Sequence, residues 1–306
     1  MIRVSFVLPA YKCKYLELAI RSILAQTWRD FELVVVDDCS PDDIRSVVSQ
    51  FSDDRIRYYR NEVNIGGRDL VDAWHKALSY AQGEFCVLAS DDDLYAPEYL
   101  EEMIRLAEKY PKVDVFHCRI AGVDGAGKWL WVGDPRGEYE TPVEMFYNTA
   151  VKRIALRAPD IMFRLSALKA IGGFVKTPQA WYTDIGTWVR LSMKNGACCS
   201  PRVLFFWRES GLNISNRHSD VLQKIDAGNQ FLAMAKGWMK EVCPTNSLDE
   251  HLLALLPSQI AAPNYAIMRL VMRHAPFGVW LHALRVAELP LSLKIKFVTD
   301  RIRRLK

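Results

Sequence analysis

Three consecutive aspartates, Asp91, Asp92 and Asp93, follow the apolar run 85–89. Carboxylates this close together repel one another unless a cation or solvent screens them. Their hard oxygen atoms suit Mg²⁺ or Mn²⁺, which also bridge the phosphate groups of a substrate. A solvated acidic turn or a helix cap has the same composition. The triplet alone therefore leaves a metal site and a surface turn open.

A second acidic pair, Asp37 and Asp38, ends the apolar run 31–36. A carboxylate at the end of a strand can accept hydrogen bonds from ribose hydroxyls or from the imide N–H of uracil, as acids do in other nucleotide-binding folds. Aspartate is also a common turn residue. By itself the pair fits a nucleotide contact and a turn alike.

The elements that must position these acids alternate between strand and helix. Short apolar runs, typical of buried strands, occur at 4–8, 31–36 and 85–89, and a further strand is predicted near 56–59. The segments between and after them show helical spacing at 16–24, 41–51, 69–81 and 97–110. This alternation predicts βαβ units and a parallel sheet covered by helices on both faces. Because ligands bind beyond the carboxyl ends of such strands, we expect the segments that follow the runs to share one crevice.

The later part of the chain is less regular. The pattern predicts strands at 129–132 and 203–207, a helix at 184–195, and only helices beyond about Arg217. No apolar stretch reaches the roughly 20 residues that a membrane-spanning helix needs.

The composition is that of an ordinary globular protein, with 50% hydrophobic residues, 25% charged residues and a net charge of +4. Because cations and acids are interspersed over most of the chain, no nucleic acid partner is expected. The first residues run directly into a strand pattern without a secretory signal, so we expect a cytoplasmic location. The seven cysteines are scattered without metal-binding spacing, which favours reduced thiols.

Several short motifs in roughly the first 110 residues occur in a characteristic order. They are 4–11, 22–27, 31–40, 64–66, 81–85, and Asp92-Asp93 shortly before Pro97. This ordered set resembles the signature of family 2 inverting glycosyltransferases with a GT-A fold. The resemblance implies an α/β GT-A fold, in which a Rossmann-like, mostly parallel sheet is flanked by helices and followed by a helical C-terminal extension.

The resemblance also divides the chain. It implies a GT-A catalytic domain over 1–215, with a nucleotide-sugar-binding half at 1–95 and an acceptor-binding half at 96–215. The helical C-terminal extension then covers 216–306.

A donor site follows from the same resemblance. The residues that it places at the nucleoside are Pro9, Ala10, Tyr11, Asp37 and Asp38.

At the cation, Mn²⁺ or Mg²⁺, the resemblance places Asp92 with Asp93 in support, and it places Asp91 towards the diphosphate or the donor sugar. Two residues depart from the family pattern. Lys12 stands where the family usually has Asn, and Ser90 stands where many members have the first Asp of the metal motif. The second departure leaves open which carboxylate touches the metal.

The catalytic base of the family is an acid at the start of a later helix, and the segment 181–190 matches it with Thr183 in place of Glu. The resemblance therefore implies Asp184 as the base. Inverting transfer needs a carboxylate that takes the proton of the acceptor hydroxyl as this oxygen attacks the anomeric carbon. Alternatively, Asp184 only caps the helix together with Thr183.

Arg208 is a candidate to neutralise the diphosphate, with a surface ion pair as the alternative, and Arg68 is a weaker phosphate candidate. Trp181, Trp188 and Trp207 are candidates for stacking on acceptor sugars, whereas aromatic residues at such spacings also occur in cores.

Together these features predict inverting transfer of a sugar from a nucleotide-diphosphate sugar, with a UDP-sugar favoured. The acceptor is a hydroxyl of a glycan or of a lipid-linked glycan in bacterial surface polysaccharide synthesis. The alternative is a non-catalytic nucleotide-sugar-binding or scaffolding protein on the same fold. A nucleotidyltransferase would need a glycine-rich basic loop after the first strand, which 9–14 does not provide.

The C-terminal segment 261–306 mixes apolar residues with arginines and ends in a basic stretch, 294–306. Such a basic amphipathic segment can lie peripherally on the cytoplasmic face of the inner membrane. It can also pack on the catalytic domain or on a second subunit, which leaves a homodimer open.

Overall fold

The computed structural model of the protein describes residues 2–151, 155–211 and 221–305. The strands of these residues are β1 (Val4–Ala10), β2 (Phe31–Asp37), β3 (Ile56–Arg60), β4 (Phe85–Leu88), β5 (Leu94–Tyr95), β6 (Val115–Val123), β7 (Trp129–Val132), β8 (Tyr139–Glu140), β9 (Met162–Arg164) and β10 (Ala197–Arg208).

The α-helices of the described residues are α1 (Leu16–Leu24), α2 (Ile44–Val48), α3 (Leu70–Leu78), α4 (Tyr99–Lys109), α5 (Pro142–Ala150), α6 (Leu165–Ala170), α7 (Thr183–Ser192), α8 (Val221–Glu241), α9 (Ser247–Gln259), α10 (Ala262–His274), α11 (Phe277–Val286) and α12 (Leu291–Leu305). Two single-turn 3₁₀ helices lie at Ala158–Asp160 and Pro178–Ala180.

These strands form one sheet in the order β3-β2-β1-β4-β9-β6-β10-β5, with β7 beside β6 and β8 beside β10. The long ladders β1–β2, β2–β3, β1–β4 and β6–β10 are parallel. The three-residue strand β9 lies antiparallel between β4 and β6. The predicted α/β fold with a mostly parallel sheet is confirmed, and only the short antiparallel insertions were not foreseen.

The sheet buries both of its faces. On β1, Phe6 and Leu8 pack into a core with α1 and α4, whereas Val7 between them packs into a second core with α3. Because successive side chains of a strand point to opposite faces, a strand covered on both sides is apolar at most positions, and the buried polar pair Ser5 and Glu32 is joined by a hydrogen bond. This explains why the predicted strands are continuous apolar runs.

The predicted helical C-terminal extension is also confirmed. Helices α8 to α12 enclose a third core, to which α5 and α7 of the α/β part contribute side chains such as Phe146 and Val189. Thr141 Oγ1 donates a hydrogen bond to Asp249 Oδ1 at 2.5 Å across this junction. The predicted boundary at 215/216 itself lies outside the described residues, but the packing on either side of it is shared.

Several element boundaries differ from the sequence prediction, as in α2, which spans Ile44–Val48 within the predicted 41–51. Strand β10 begins at Ala197 instead of Val203, and its pairing with β6 is irregular between Ser200 and Val203, where Pro201 interrupts the apolar pattern. Proline is tolerated at such irregularities because no ladder hydrogen bond is required there. Helix α9 continues through Pro257 to Gln259, which keeps Leu256 in the third core. None of the described helices is long and apolar enough to cross a bilayer.

Candidate active site

Strand β1 lies between β2 and β4, so the strand order reverses there. Ligands of such folds bind beyond the carboxyl ends of the strands at this switch point. Asp91, just after β4, reaches across it. Its Oδ2 accepts hydrogen bonds from the backbone N–H of Tyr11 at 3.0 Å and of Lys12 at 2.9 Å. Two segments that the sequence predicts to share a crevice are thus directly hydrogen-bonded.

Charge at this switch point is balanced locally. Lys12 Nζ lies 3.9 Å from Asp91 Oδ1, at the position where the family pattern has Asn. Burial raises the pKa of Asp91, while Lys12 and the two backbone amides oppose that rise. A cation in this position favours the ionised carboxylate, so Lys12 adds positive charge at the edge where the diphosphate is expected.

The carboxylate of Asp38 organises the loop after β3. Its Oδ1 accepts hydrogen bonds from Asn61 Nδ2 at 2.7 Å and Ile65 N at 3.0 Å, and its Oδ2 accepts one from Gly66 N at 2.6 Å. A Cβ atom on Gly66 would lie 2.9 Å from the same Oδ2. This role as a loop organiser is not visible in the sequence. The predicted nucleoside contact stays a prediction.

Asp37 is fully buried and holds the turn after β2. Its Oδ1 accepts from Ser40 N at 2.8 Å, and its Oδ2 accepts from Tyr58 OH at 2.8 Å and from Arg60. Ser40 in turn donates its hydroxyl to Tyr11 O at 2.7 Å. The turn of Asp37 is thereby tied to the loop after β1. A direct contact of Asp37 with a ligand has no support from this geometry.

The remaining predicted donor-site residues line the same edge. Pro9 is partly exposed, Ala10 is buried, and Tyr11 is exposed. Backbone N–H of Asp38 donates to Ala10 O at 3.1 Å, which joins β1 and β2 beyond their last ladder pair. Arg68 is exposed in the turn after Gly66, so its guanidinium is accessible to an anion.

Both carboxylate oxygens of Asp93 accept hydrogen bonds. Its Oδ1 accepts from the backbone N–H of Arg208 at 2.8 Å, and its Oδ2 accepts from Ser90 Oγ. Burial, and then the charge of Asp92, raise the pKa of Asp93 to about 7. Asp92 Oδ2 accepts from Ser210 Oγ at 3.0 Å. Asp93 thus supports the motif, and Ser90 serves this support instead of supplying a carboxylate.

Arg208 differs from its expected position. Its side chain is 1% exposed, and its guanidinium donates to the carbonyl oxygens of Asp92 at 2.9 Å, Gly125 at 3.0 Å and Asp124 at 3.2 Å. The guanidinium also lies over the ring of Tyr15 at 4.6 Å. Through its Nε–H and its Nη1 group, Arg208 thus holds the backbone of Asp92 against the loop at Asp124 and Gly125. Its contact with a diphosphate stays a prediction.

The acids after β4 fit a divalent cation in their chemistry. Mg²⁺ is commonly held by one or two carboxylates together with substrate phosphates and water, and Asp92 beside Asp91 at the switch point can supply such oxygens. Both oxygens of Asp93 already accept hydrogen bonds within the protein, and its contact with a metal stays a prediction. Among the described residues, no group of three or more His, Cys, Asp and Glu side chains is arranged to hold a metal.

Asp184 lies in the first turn of α7 and is partly exposed. Its Oδ1 accepts from the N–H of Ile185 at 2.8 Å, and the positive end of the helix dipole stabilises a negative charge there. Three residues just before it, Gln179, Ala180 and Tyr182, adopt left-handed backbone conformations with φ of 55°, 55° and 65°. Such strain persists only where the surroundings enforce it, and it clusters at functional sites.

Asp160, which was not singled out from the sequence, lies close to the metal motif, because Tyr95 OH donates a hydrogen bond to the neighbouring Pro159 O at 2.7 Å. Asp160 is fully buried, its Oδ1 accepts from Arg157 N at 2.6 Å, and its Oδ2 has no hydrogen-bond partner among the described residues. Burial raises its pKa to about 7, and the charge of Asp184 adds to the rise. Burial, and then the charges of Asp93 and Asp160, raise the pKa of Tyr95.

The aromatic candidates divide into surface and core. Trp188 is fully buried between Phe163 and Phe174, so its assignment to the acceptor site is wrong, and it is a core residue. Trp207 is partly exposed, with the guanidinium of Arg157 over its ring at 4.5 Å.

Trp181 is likewise partly exposed, and Lys224 Nζ lies 4.1 Å from the centre of its ring. Trp181 and Trp207 remain acceptor candidates.

Comparison with known proteins gives a family match over much of the chain. The model of glycosyl transferase family 2 matches residues 5–169. The putative teichuronic acid biosynthesis glycosyltransferase TuaG of Bacillus subtilis is 34% identical over 196 residues, which cover 62% of this chain and 72% of TuaG. Alignments with five curated bacterial relatives span 41% to 72% of the length of those proteins.

Solved structures show the same fold. The crystal structure of S. aureus TarS 1–349 in complex with UDP matches 99% of this chain and 83% of that chain, with a TM-score of 0.67 and 18% identity. The mannosyltransferase PcManGT from Pyrobaculum calidifontis, in complex with GDP-Man and Mn²⁺, matches 99% of this chain and 81% of that chain, with a TM-score of 0.59 and 19% identity. At such identities the likeness concerns the fold alone.

Proposed function

The chain belongs to glycosyl transferase family 2, and from that premise and the acids after β4 at the switch point we propose that it is an inverting glycosyltransferase. The proposed donor is a nucleotide-diphosphate sugar, with a UDP-sugar favoured. The proposed acceptor is a hydroxyl of a glycan or lipid-linked glycan in bacterial surface polysaccharide synthesis. Support comes from TuaG, named for teichuronic acid biosynthesis, and from the UDP complex of TarS.

One observation carries the proposal. Asp91 joins the loops after β1 and β4 through the amides of Tyr11 and Lys12, while Asp184 lies partly exposed in the first turn of α7. An acid at the diphosphate edge and a second acid beyond it are what a displacement at an anomeric carbon requires.

In the proposed reaction, Asp184 accepts the proton of the acceptor hydroxyl while the hydroxyl oxygen forms a bond to the anomeric carbon. The bond between this carbon and the diphosphate oxygen breaks, and the diphosphate leaves with the electron pair. Lys12 and Arg68 supply positive charge for the leaving group. A divalent cation bound at Asp92 would neutralise further negative charge on the diphosphate.

The test compares Asp184→Asn with the unchanged protein, using a panel of UDP-, GDP- and dTDP-sugars with Mn²⁺. A general base contributes roughly 10²- to 10⁴-fold to a rate, so kcat for transfer should fall by that factor. The Kd for UDP, measured by calorimetry, should stay within about twofold, because Asp184 is not placed at the nucleotide. Asp54→Asn, which changes an exposed carboxylate, is the matched control.

Two outcomes would contradict the assignment. Loss of UDP binding in Asp184→Asn would mean that the residue holds the donor site together, and unchanged kcat would remove it from the chemistry. If the unchanged protein bound UDP but neither transferred nor hydrolysed any donor of the panel, the non-catalytic nucleotide-sugar-binding or scaffolding function would replace the proposal.

Two further parts of the proposal concern the assembled enzyme. We propose a cytoplasmic location, which fractionation of cells that express the tagged chain would test. We also propose a homodimer, which light scattering would test. A mass near 70 kDa, about twice the chain mass of 35.1 kDa, would support it.

A further inference from the structure

Helix α12 presents a narrow apolar stripe to solvent. Leu291, Ile295 and Ile302 have exposed fractions of 73%, 55% and 52%. At 3.6 residues per turn, these three positions fall within an arc of about 40°. Buried helices hide such residues, so an exposed stripe of this kind points to a contact outside the chain.

Basic side chains flank the stripe on both sides. Lys296 and Arg303 are exposed and lie about 100° round the helix from the stripe, while the partly exposed Lys294 lies on its other flank. The one acid in the sequence of α12, Asp300, lies about 180° from Leu291. The apolar stripe is therefore bordered by positive charge, and the negative charge is on the opposite side.

The inner side of α12 fixes this orientation. Phe297 is 2% exposed and packs against the ring of Tyr265, with the ring centres 5.3 Å apart. Arg301 Nη1 donates to Met272 O at 2.7 Å. Because these contacts hold the helix to α10, the stripe cannot turn inwards without breaking them.

Helix α11 repeats the pattern on a smaller scale. Phe277 and Leu281, one turn apart, have exposed fractions of 56% and 52%, and Arg285 one turn later is exposed. Lys294 Nζ donates to Arg285 O at 3.3 Å, which places the start of α12 against the end of α11.

We propose that α12 docks the protein on an anionic lipid bilayer. The stripe enters the boundary between headgroups and acyl chains, and the flanking Lys and Arg side chains contact the phosphate headgroups. Protein interfaces bury about 800 Å² per partner and are depleted of Lys in their core, whereas this stripe is narrow and bordered by Lys on both sides. The charge pattern therefore favours a lipid surface over a second copy of the chain.

Docking through α12 would place the enzyme on a membrane surface, and it does not depend on sugar transfer. Binding to vesicles needs neither donor nor acceptor. A failure of sugar transfer would therefore leave the vesicle result unaffected, and the reverse also holds.

The experiment is co-sedimentation of the full chain with vesicles of phosphatidylcholine alone or with 30% phosphatidylglycerol, at about 0.1 M salt. We expect binding to the anionic vesicles, weaker binding to neutral ones, and loss of binding as salt is raised. Ile295→Ser with Ile302→Ser should weaken binding at least tenfold. Lys296→Glu with Arg303→Glu should weaken it further, since each cation near an anionic surface contributes roughly fivefold.

Leu248→Ser with Lys194→Glu is the matched control, because both side chains are exposed and lie outside α11 and α12. Its binding should equal that of the unchanged protein. Equal sedimentation with neutral and anionic vesicles, no sedimentation with either, or an equal loss in the control would overturn the proposal. A dimer in light scattering that dissociates in the Ile295→Ser and Ile302→Ser variant would assign the stripe to a subunit interface instead.

Discussion

Replacement of Asp160 by Asn should change how the stability of the protein depends on pH. Asp160 is fully buried, and its pKa is raised by burial from 3.8 to about 7. Its folded-state pKa thus lies above its unfolded value, so the folded state binds the proton more tightly. The stability that this group contributes is fully present below about pH 4 and is lost as the pH rises towards 7.

The size of the effect follows from the same pKa. One pKa unit corresponds to about 1.36 kcal/mol, so the ionisation of Asp160 lowers the free energy of unfolding by roughly 4 kcal/mol between pH 4 and pH 8. In Asp160→Asn this loss is absent. The amide can still accept the hydrogen bond of Arg157 N, and its new N–H₂ group adds a constant cost of about 1–3 kcal/mol if it finds no partner.

The assay is urea unfolding of both proteins at intervals from pH 4.5 to pH 8, read as the difference between the two free energies at each pH. This difference cancels the contributions of other groups, including Asp93. The free energy of unfolding of the variant should rise relative to that of the unchanged protein as the pH rises from 4 to 7. Parallel curves over the whole range would refute the reasoning, and Asp54→Asn should give such parallel curves as the control.

Three further predictions test other parts of the site. EDTA should abolish sugar transfer and Mn²⁺ or Mg²⁺ should restore it, whereas full activity in the chelator would remove the cation from the proposal. Gly66→Ala places a Cβ 2.9 Å from Asp38 Oδ2, so the free energy of unfolding should fall by roughly 1–3 kcal/mol. UDP binding should weaken as well. Gly237→Ala, with open space around its Cβ position, is the control. Trp188→Ala should cost about 3–5 kcal/mol of stability as a core truncation, while Trp207→Ala should lose less stability and raise KM for the acceptor. Equal stability losses in the two tryptophan variants would contradict their separation into core and surface.

The strands and their acidic ends could be predicted because each follows from local chemistry. A run such as 31–36 must be buried on both faces, and an aspartate after it must lie at the carboxyl edge of the sheet. The loops of Tyr11, Asp38 and Asp91 were therefore expected together at the carboxyl edge of the sheet. The hydrogen bonds that Asp38 accepts from Asn61, Ile65 and Gly66 could not be predicted, because the pairing of β3 brings those partners to it.

The parts that escaped prediction depend on tertiary contacts. Asp160 is a single acid in an irregular stretch, and nothing around it in sequence shows that Tyr95 OH would donate to its neighbour Pro159 O at 2.7 Å and bring it beside the metal motif. Trp188 was misassigned because helical spacing does not say which face of α7 is buried. Strand β9 has only three residues, too few for a period to be recognised.

The shared core beneath α7 has a consequence for how enzymes of this kind diversify. Helix α7, which carries Asp184, contacts α5 and α8, and all three contribute side chains to the third core. A chimera that exchanged the C-terminal helices for another protein's would therefore also replace packing partners of the helix that carries Asp184. Substitutions in the C-terminal helices can in this way shift the start of α7, and Asp184 with it, while the aspartates after β4 are left unchanged.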